Sequence, residues 1–277
     1  MRDARYLNQH YEISVETLAL CNAACTFCPY PSLERKGVEL PDKLLTSILL
    51  QIKEWKHPFY FSPFKVNEPL LDRRVIPMLQ EINEYIPRAV IRLFTNGTTL
   101  TNKVIQSIAD LHAIAHLWIS LNSVTVDEYC DLMKLDFLKT ANKLDLLHSF
   151  VMAKKFKHTV ILSRVVQSNE ADAEFVRYCR IRWPRFGIQM IKKDGWLGYT
   201  EPQMTKVPQI PCARWWELSI MATGKAALCC MDGAGEYVVG DISKSSLLDI
   251  YNSDPLLKMR TGLLERSGVS PCNRCTY

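Results

Sequence analysis

The chain holds no apolar run approaching the roughly 18 residues that cross a bilayer. Its start, Met1 to Tyr6, has no apolar core of the kind an export signal needs. The expectation is a cytoplasmic protein with no membrane partner. Internal repeats and low-complexity tracts are absent, and 48% hydrophobic with 10% aromatic residues is not the composition of a disordered chain. A net charge of +5 over 277 residues is small, and no basic stripe interleaved with aromatics, the footprint of a nucleic-acid partner, stands out. Groupings such as Arg180, Arg182 and Arg185 read as a solvated helix end. The six histidines show no ligand spacing. This length suits one large α/β domain, or a domain near 200 residues with a small appendage.

Cysteine, by contrast, is plentiful: ten residues, which in an unexported chain point to metal or redox chemistry rather than to a disulfide framework. Cys21, Cys25 and Cys28 form a C-x3-C-x2-C run directly after the alternating stretch Tyr11 to Thr17, which reads as a strand. Three thiolates on a loop leaving a strand can hold three irons of a 4Fe-4S cube and leave the fourth iron open to a small molecule. A second set lies far along the chain, where Cys212, Cys229 and the pair Cys272 and Cys275 supply four thiolates, enough for one cluster or a structural zinc. Cys230 points the other way from Cys229 if the segment is a strand. Cys130 and Cys179 fall in helical stretches and read as buried small hydrophobes.

Between these sets, short β-rich runs alternate with amphipathic ones. Helices are predicted over 42–55, 74–85, 102–111, 126–152 and 171–181, and strands over 60–66, 90–95, 116–122, 159–166 and 187–192. Six βα repeats make a parallel sheet with right-handed crossovers, and place an active site at the C-terminal strand ends. Six units fall short of a closed eight-stranded barrel, so the expected form is an open, partial (β/α)6 TIM-like barrel over 1–200. A proline-bearing linker, 201–211, leads to a hairpin of 217–221 and 225–229 and a short helix, 246–251, in a C-terminal unit over 201–277.

Polar residues collect at the predicted strand ends: Asn67 and Glu68 after the second, Asn96 after the third, Ser120 and Asn122 after the fourth, Ser163 and Arg164 on the fifth. Singly, each is ordinary turn chemistry.

Taken in order with the first cysteine run and its aromatic Phe27, they resemble the radical S-adenosylmethionine (radical SAM) enzymes, which bind SAM on the open iron and cleave it to a 5′-deoxyadenosyl radical. The resemblance implies that Phe27 lies against adenine and that Glu68 receives the methionyl ammonium. It also implies that Asn96, Ser120 and Asn122 contact ribose or carboxylate, that Arg164 binds the carboxylate, and that Ser163 adds a polar contact. Asn67 replaces a usual glycine in the turn before Glu68, and asparagine tolerates the positive φ that turn asks for. The C-terminal cysteines resemble the SPASM/twitch extension, and a chain ending two residues after Cys275 implies the twitch form with one auxiliary 4Fe-4S cluster.

The reaction this implies is two-electron oxidation of an alcohol on a small sugar- or aminocyclitol-like substrate, with the auxiliary cluster as electron acceptor and Asp232 as candidate proton acceptor. A flavodoxin- or ferredoxin-like reductant is implied as partner. The alternative is crosslinking or epimerisation of a ribosomally made peptide, which strand one beginning near residue 11 disfavours by leaving no N-terminal peptide-binding domain. The minor alternative is a non-enzymatic metal-binding protein.

Overall fold

The computed structural model describes residues 4–262 and 265–277; Met1 to Asp3 of the start read above for an export signal lie outside the described residues. Strands β1 (Glu12–Val15), β2 (Phe59–Ser62), β3 (Ala89–Thr95), β4 (Ile114–Ser120), β5 (Val160–Val165) and β6 (Gly187–Ile191) pair in parallel in chain order. The crossovers are α1 (Asp42–Lys53), α2 (Val75–Tyr85), α3 (Asn102–Ala109), α4 (Val126–Met133) with α5 (Phe137–Met152), and α6 (Glu170–Arg182). Period-two alternation sorts the side chains. Ile91 and Leu93 of β3 and Leu117 and Ile119 of β4 are buried in the apolar core. Arg92, Phe94, His116 and Trp118 sit half-buried on the opposite, concave face. The expected partial barrel is present, and its lumen is charged and aromatic.

The C-terminal segment continues this sheet. β7 (Glu217–Ile220) pairs in parallel with the free edge of β1, in the register Glu12 to Glu217, and β8 (Lys225–Ala227) and β9 (Val238–Asp241) follow antiparallel. Among the described residues, nine strands therefore form one sheet in the order β6-β5-β4-β3-β2-β1-β7-β8-β9. The expected hairpin is β7–β8, and the expected short helix is α7 (Leu247–Tyr251), capped by a reciprocal Ser246–Asp249 box. β9 and α8 (Asp254–Gly262) escape the sequence pattern. β9 has four residues, too few to display a period, and carries Gly240, where a Cβ would stand 2.6 Å from Ile250 Cγ1 of α7. The long helical stretch breaks at Lys134, which takes a left-handed φ of 57°. Cys179 is buried as expected, but Cys130 is exposed, because α4 turns its face to solvent there.

Two charge clusters hold the cysteine loop, residues 17–40. Arg74 closes its neck, donating to Thr17 O and Leu40 O at 2.8 Å each while its guanidinium pairs with Asp72; Leu40 N donates to Thr17 O across the same gap. Deeper in, Glu16 at the end of β1 is fully buried and accepts from Arg35 Nε (2.7 Å) and Nη2 (3.0 Å). The Glu16 carboxylate also accepts from Ala222 N, and Arg35 donates onward to Ala234 O. One ion pair thus ties β1, the cysteine loop and the C-terminal hairpin together.

Glu16→Ala leaves Arg35 buried without its counter-charge, and should lower unfolding stability by about 3–5 kcal/mol. Denaturant unfolding with an unchanged m-value checks this, and a loss below about 1 kcal/mol contradicts the shared-anchor role.

Candidate active site and metal centres

Cys21, Cys25 and Cys28 lie on the loop above the C-terminal end of β1, each partly buried. Burial pushes the Cys21 thiol up to about 12 and the Cys28 thiol up to about 11, and raises Cys25 as well. Thiols this reluctant to ionise need a cation to hold them as thiolates, which is what iron supplies. Among the described residues, no three His, Cys, Asp or Glu side chains close on a single-ion site. Three thiols on one loop are the ligand set of a four-iron cube with one open iron. Cys25 Sγ touches Met133 Sδ at 3.4 Å, which packs α4 against the loop.

Around this loop stand the residues expected from the strand ends. Glu68 is buried, its Oε1 accepting from Thr95 Oγ1 (2.7 Å) and Leu70 N (3.2 Å), its Oε2 from Asn96 N (2.6 Å). Burial nonetheless pushes its carboxyl up to about 7, the Asn96, Thr95 and Leu70 hydrogen bonds pulling the other way. A cationic ammonium is what this buried acid lacks. Asn67 uses its Oδ1 on Lys65 N at 3.0 Å, and its Nδ2 is buried with no protein partner. Asn96 bonds Asn22 (2.7 Å), between Cys21 and Ala23, and accepts from Thr98. Phe27 packs against the core beside the cysteines while its carbonyl accepts from Trp196 Nε1 at 3.0 Å. Ser120 is half-buried at the end of β4. Glu68, Asn67, Asn96 and Phe27 are thus gathered around the first cysteine set.

Three expected contacts are spent elsewhere. Arg164 is fully buried, and its guanidinium donates to Asp172 Oδ1 (2.7 Å), to both oxygens of Glu128 (3.0 and 2.7 Å) and to Asn122 O, facing α4 and α6 rather than the lumen. This arginine buttresses the barrel wall. Asn122, at φ 63°, accepts at Oδ1 from Val165 N (2.8 Å) and donates from Nδ2 to Met133 Sδ (3.2 Å), linking the end of β4 to β5 and α4. Ser163 Oγ accepts from Trp118 Nε1 at 2.8 Å and fixes that indole in the lumen. Strand alternation misleads here, because Arg164 and Ser163 occupy opposite faces and the sequence does not tell which face an arginine can satisfy.

Below the loop, the lumen is crossed by polar pairs. Glu12 accepts from Arg92 (2.7 Å) and Ser62 (3.0 Å), with the Arg92 guanidinium 3.4 Å from the centroid of the Tyr60 ring. Glu217 accepts from Arg214 (2.6 Å), and burial pushes its carboxyl up to about 7. Phe64, Phe94, His116 and Trp118 form an aromatic patch above Arg92. These residues carry no motif in sequence, since a charge or an aromatic every second position of a strand is also the pattern of a solvated sheet.

The second cysteine set converges. Cys212, Cys229, Cys272 and Cys275 line one pocket, together with Arg266, Trp215 and Tyr277. Burial raises the thiols of Cys212, Cys229 and Cys272. Cys230 does not line this pocket; it is half-buried, within the field of Arg214, Glu217, Lys65 and Glu12. Asp232, expected as a proton acceptor, is committed: Oδ1 accepts from Gly235 N (3.0 Å) and Glu236 N (2.9 Å), Oδ2 from Tyr237 N (3.0 Å). It folds the turn after the cysteines, and that turn presses on the first loop. A Cβ at Gly233 would stand 2.7 Å from Pro29 Cγ and 3.2 Å from Trp196 Cε3. The aspartate of Met-Asp-Gly is a turn residue for the ordinary reason that its side chain reaches amides a few residues on.

The family model for the radical SAM superfamily matches residues 15–188, more than half the chain, and that for an iron-sulfur cluster-binding domain (SPASM) matches 212–276. The chain is 32% identical over 100 residues to an S-adenosyl-L-methionine-dependent 2-deoxy-scyllo-inosamine dehydrogenase of Niallia circulans. That match spans 36% of this chain and 40% of the relative. In fold it is similar to BtrN solved in complex with AdoMet and 2-DOIA, at TM-score 0.67 and 19% identity over 97% of this chain and 93% of that one. It is also similar to Streptococcus suis SuiB bound to precursor peptide SuiA, at TM-score 0.70 and 16% identity, over 96% of this chain and 70% of that one.

The raised Glu68 carboxyl makes stability depend on pH. The native state keeps this proton to about pH 7, whereas the unfolded chain releases it near 4.5, so the stabilisation is complete below pH 4.5 and is lost as pH rises through 7. Unfolding titrations of metal-free protein between pH 5 and 8 should show a decline that Glu68→Gln reduces by up to ~3 kcal/mol. Equal slopes in the two proteins contradict it.

Proposed function

Since the chain belongs to the radical SAM superfamily, we propose that it oxidises an alcohol on a small, polar, sugar- or aminocyclitol-like substrate by two electrons. The observation that carries this reading is the convergence of Cys212, Cys229, Cys272 and Cys275 on one pocket beside the barrel lumen. When bound, SAM and its cluster on Cys21, Cys25 and Cys28 supply a hydrogen-abstracting radical, and a second cluster on the other four thiols supplies an electron sink.

The protein's own residues bind, orient and exclude. Glu68 receives the methionyl ammonium, a charge-assisted contact that offsets the burial of its carboxylate. The buried Nδ2 of Asn67 donates to the bound methionyl group, and Asn96 is held in place for the ribose by Asn22 and Thr98. Trp196 packs against the loop beside Cys21 and Cys28 and holds the Phe27 carbonyl. The Glu12–Arg92 pair and the aromatic patch offer hydroxyl and ring contacts of the kind a polyol takes. The dehydrogenase match supports a small-molecule alcohol over a peptide. An external one-electron carrier of flavodoxin or ferredoxin type reduces the first cluster. Cysteines committed to iron-sulfur sites suit a reducing, cytoplasmic setting.

Anaerobically reconstituted protein should hold about eight irons per chain, falling to about four in a Cys21/Cys25/Cys28→Ala variant. With a secondary alcohol deuterated at the carbinol carbon, deuterium should appear in 5′-deoxyadenosine. Cys229→Ala should cut ketone formation at least tenfold while SAM cleavage continues. Undiminished ketone in that variant refutes the electron-sink reading.

A further inference from the structure

Lys65 lies three residues beyond the end of β2 and is 1% exposed. Its Nζ donates to Ser219 Oγ on β7 at 3.1 Å and to the backbone carbonyl of Cys229 at 3.2 Å. Ser219 is held in turn by Ser14 Oγ of β1 at 3.1 Å. A buried ammonium is costly unless a counter-charge faces it. Yet no carboxylate of a described residue stands within ion-pair reach of Lys65. The two acids nearest in its field are both committed. Glu16 is taken by Arg35 and Ala222 N, and Asp232 by three backbone amides. The remaining anionic chemistry around it is sulfur: Cys230, which lies outside the pocket of four thiols, and Cys229, where that pocket begins and whose carbonyl Lys65 holds.

Four thiolates outweigh the positive charge of a cubane core, so a cluster in that pocket is a net anion, and each electron it accepts makes it more so. Net charge and hydrogen bonding around the ligands are among the quantities that set an iron-sulfur potential. We infer that Lys65 is a positioning residue for the auxiliary cluster: its ammonium, fixed by Ser219 and the Cys229 carbonyl, is the cluster's counter-ion and raises its potential. This rests on the reading of the four-thiol pocket as a cluster site, and adds to it the group that makes the site an acceptor. Lys65 stands in the lumen wall three residues before Glu68, on the segment that leads into the SAM contacts. A charge that tunes the sink is therefore carried by the barrel half of the chain.

The test uses the Cys21/Cys25/Cys28→Ala protein, in which the auxiliary cluster alone reports, and follows its reduction by electron paramagnetic resonance during a redox titration. Lys65→Met should move the midpoint potential to more negative values, with iron content held at about four per chain. Lys65→Arg should restore it towards the parent. Ser219→Ala, which keeps the lysine but removes one of its two tethers, should shift the potential in the same direction by less. If Lys65→Met fails to assemble a cluster that Lys65→Arg does assemble, the counter-ion role is upheld. A parent cluster whose potential is unchanged in both Lys65→Met and Ser219→Ala overturns the inference alone. A parent that binds no four-iron cluster overturns the cluster reading, and the inference with it.

Discussion

The Glu16–Arg35 pair is the constraint on which the two cysteine sets depend. A carboxylate with no exposed surface cannot remain charged without a partner, and the partner it has comes from the cysteine loop rather than from its own strand. The remaining lone pairs and N–H groups of the pair reach the C-terminal hairpin through Ala222 N and Ala234 O. Three segments distant in sequence are therefore required to meet at one point before any of them can bury its charge. The Arg74 neck then fixes the two ends of the loop, and the turn folded by Asp232 closes on its outer side.

Both cysteine sets follow one electrostatic logic. Burial makes every thiol for which a shift is resolved harder to ionise, so the apo protein holds neutral sulfur poised for iron. The surroundings differ. The first set faces a buried acid, Glu68, that lacks a cation; the second is bordered by Arg266, with Lys65 bonded to the backbone carbonyl of Cys229. An acid near one set suits a cationic ligand, whereas bases near the other suit an electron-accepting anion. Cys230 stands apart from both sets: it lies in the turn after β8, next to Cys229, but does not line the four-thiol pocket.

Much of this was legible in sequence because it rests on spacing. The C-x3-C-x2-C loop, the six parallel strands with their helical crossovers and the Cys212, Cys229, Cys272, Cys275 set all follow from local pattern, and so does Glu68 at a strand end. What was hidden depends on non-local pairing. Whether Arg164 faces the lumen or the helices is decided by Glu128 and Asp172, residues on two other elements. Asp232 could serve a turn or a substrate, and three amides across Gly235 to Tyr237 decide for the turn. Lys65 carries no motif at all, and its importance arises only when β7 is laid beside β1.

The unbroken sheet gives the molecule a fixed ruler. β1 carries the first cysteine loop and β7 opens the half bearing the second set, and the two are adjacent, separated by one strand spacing of about 4.8 Å. The two segments that carry the cysteine sets are consequently joined through the backbone hydrogen bonds of one sheet.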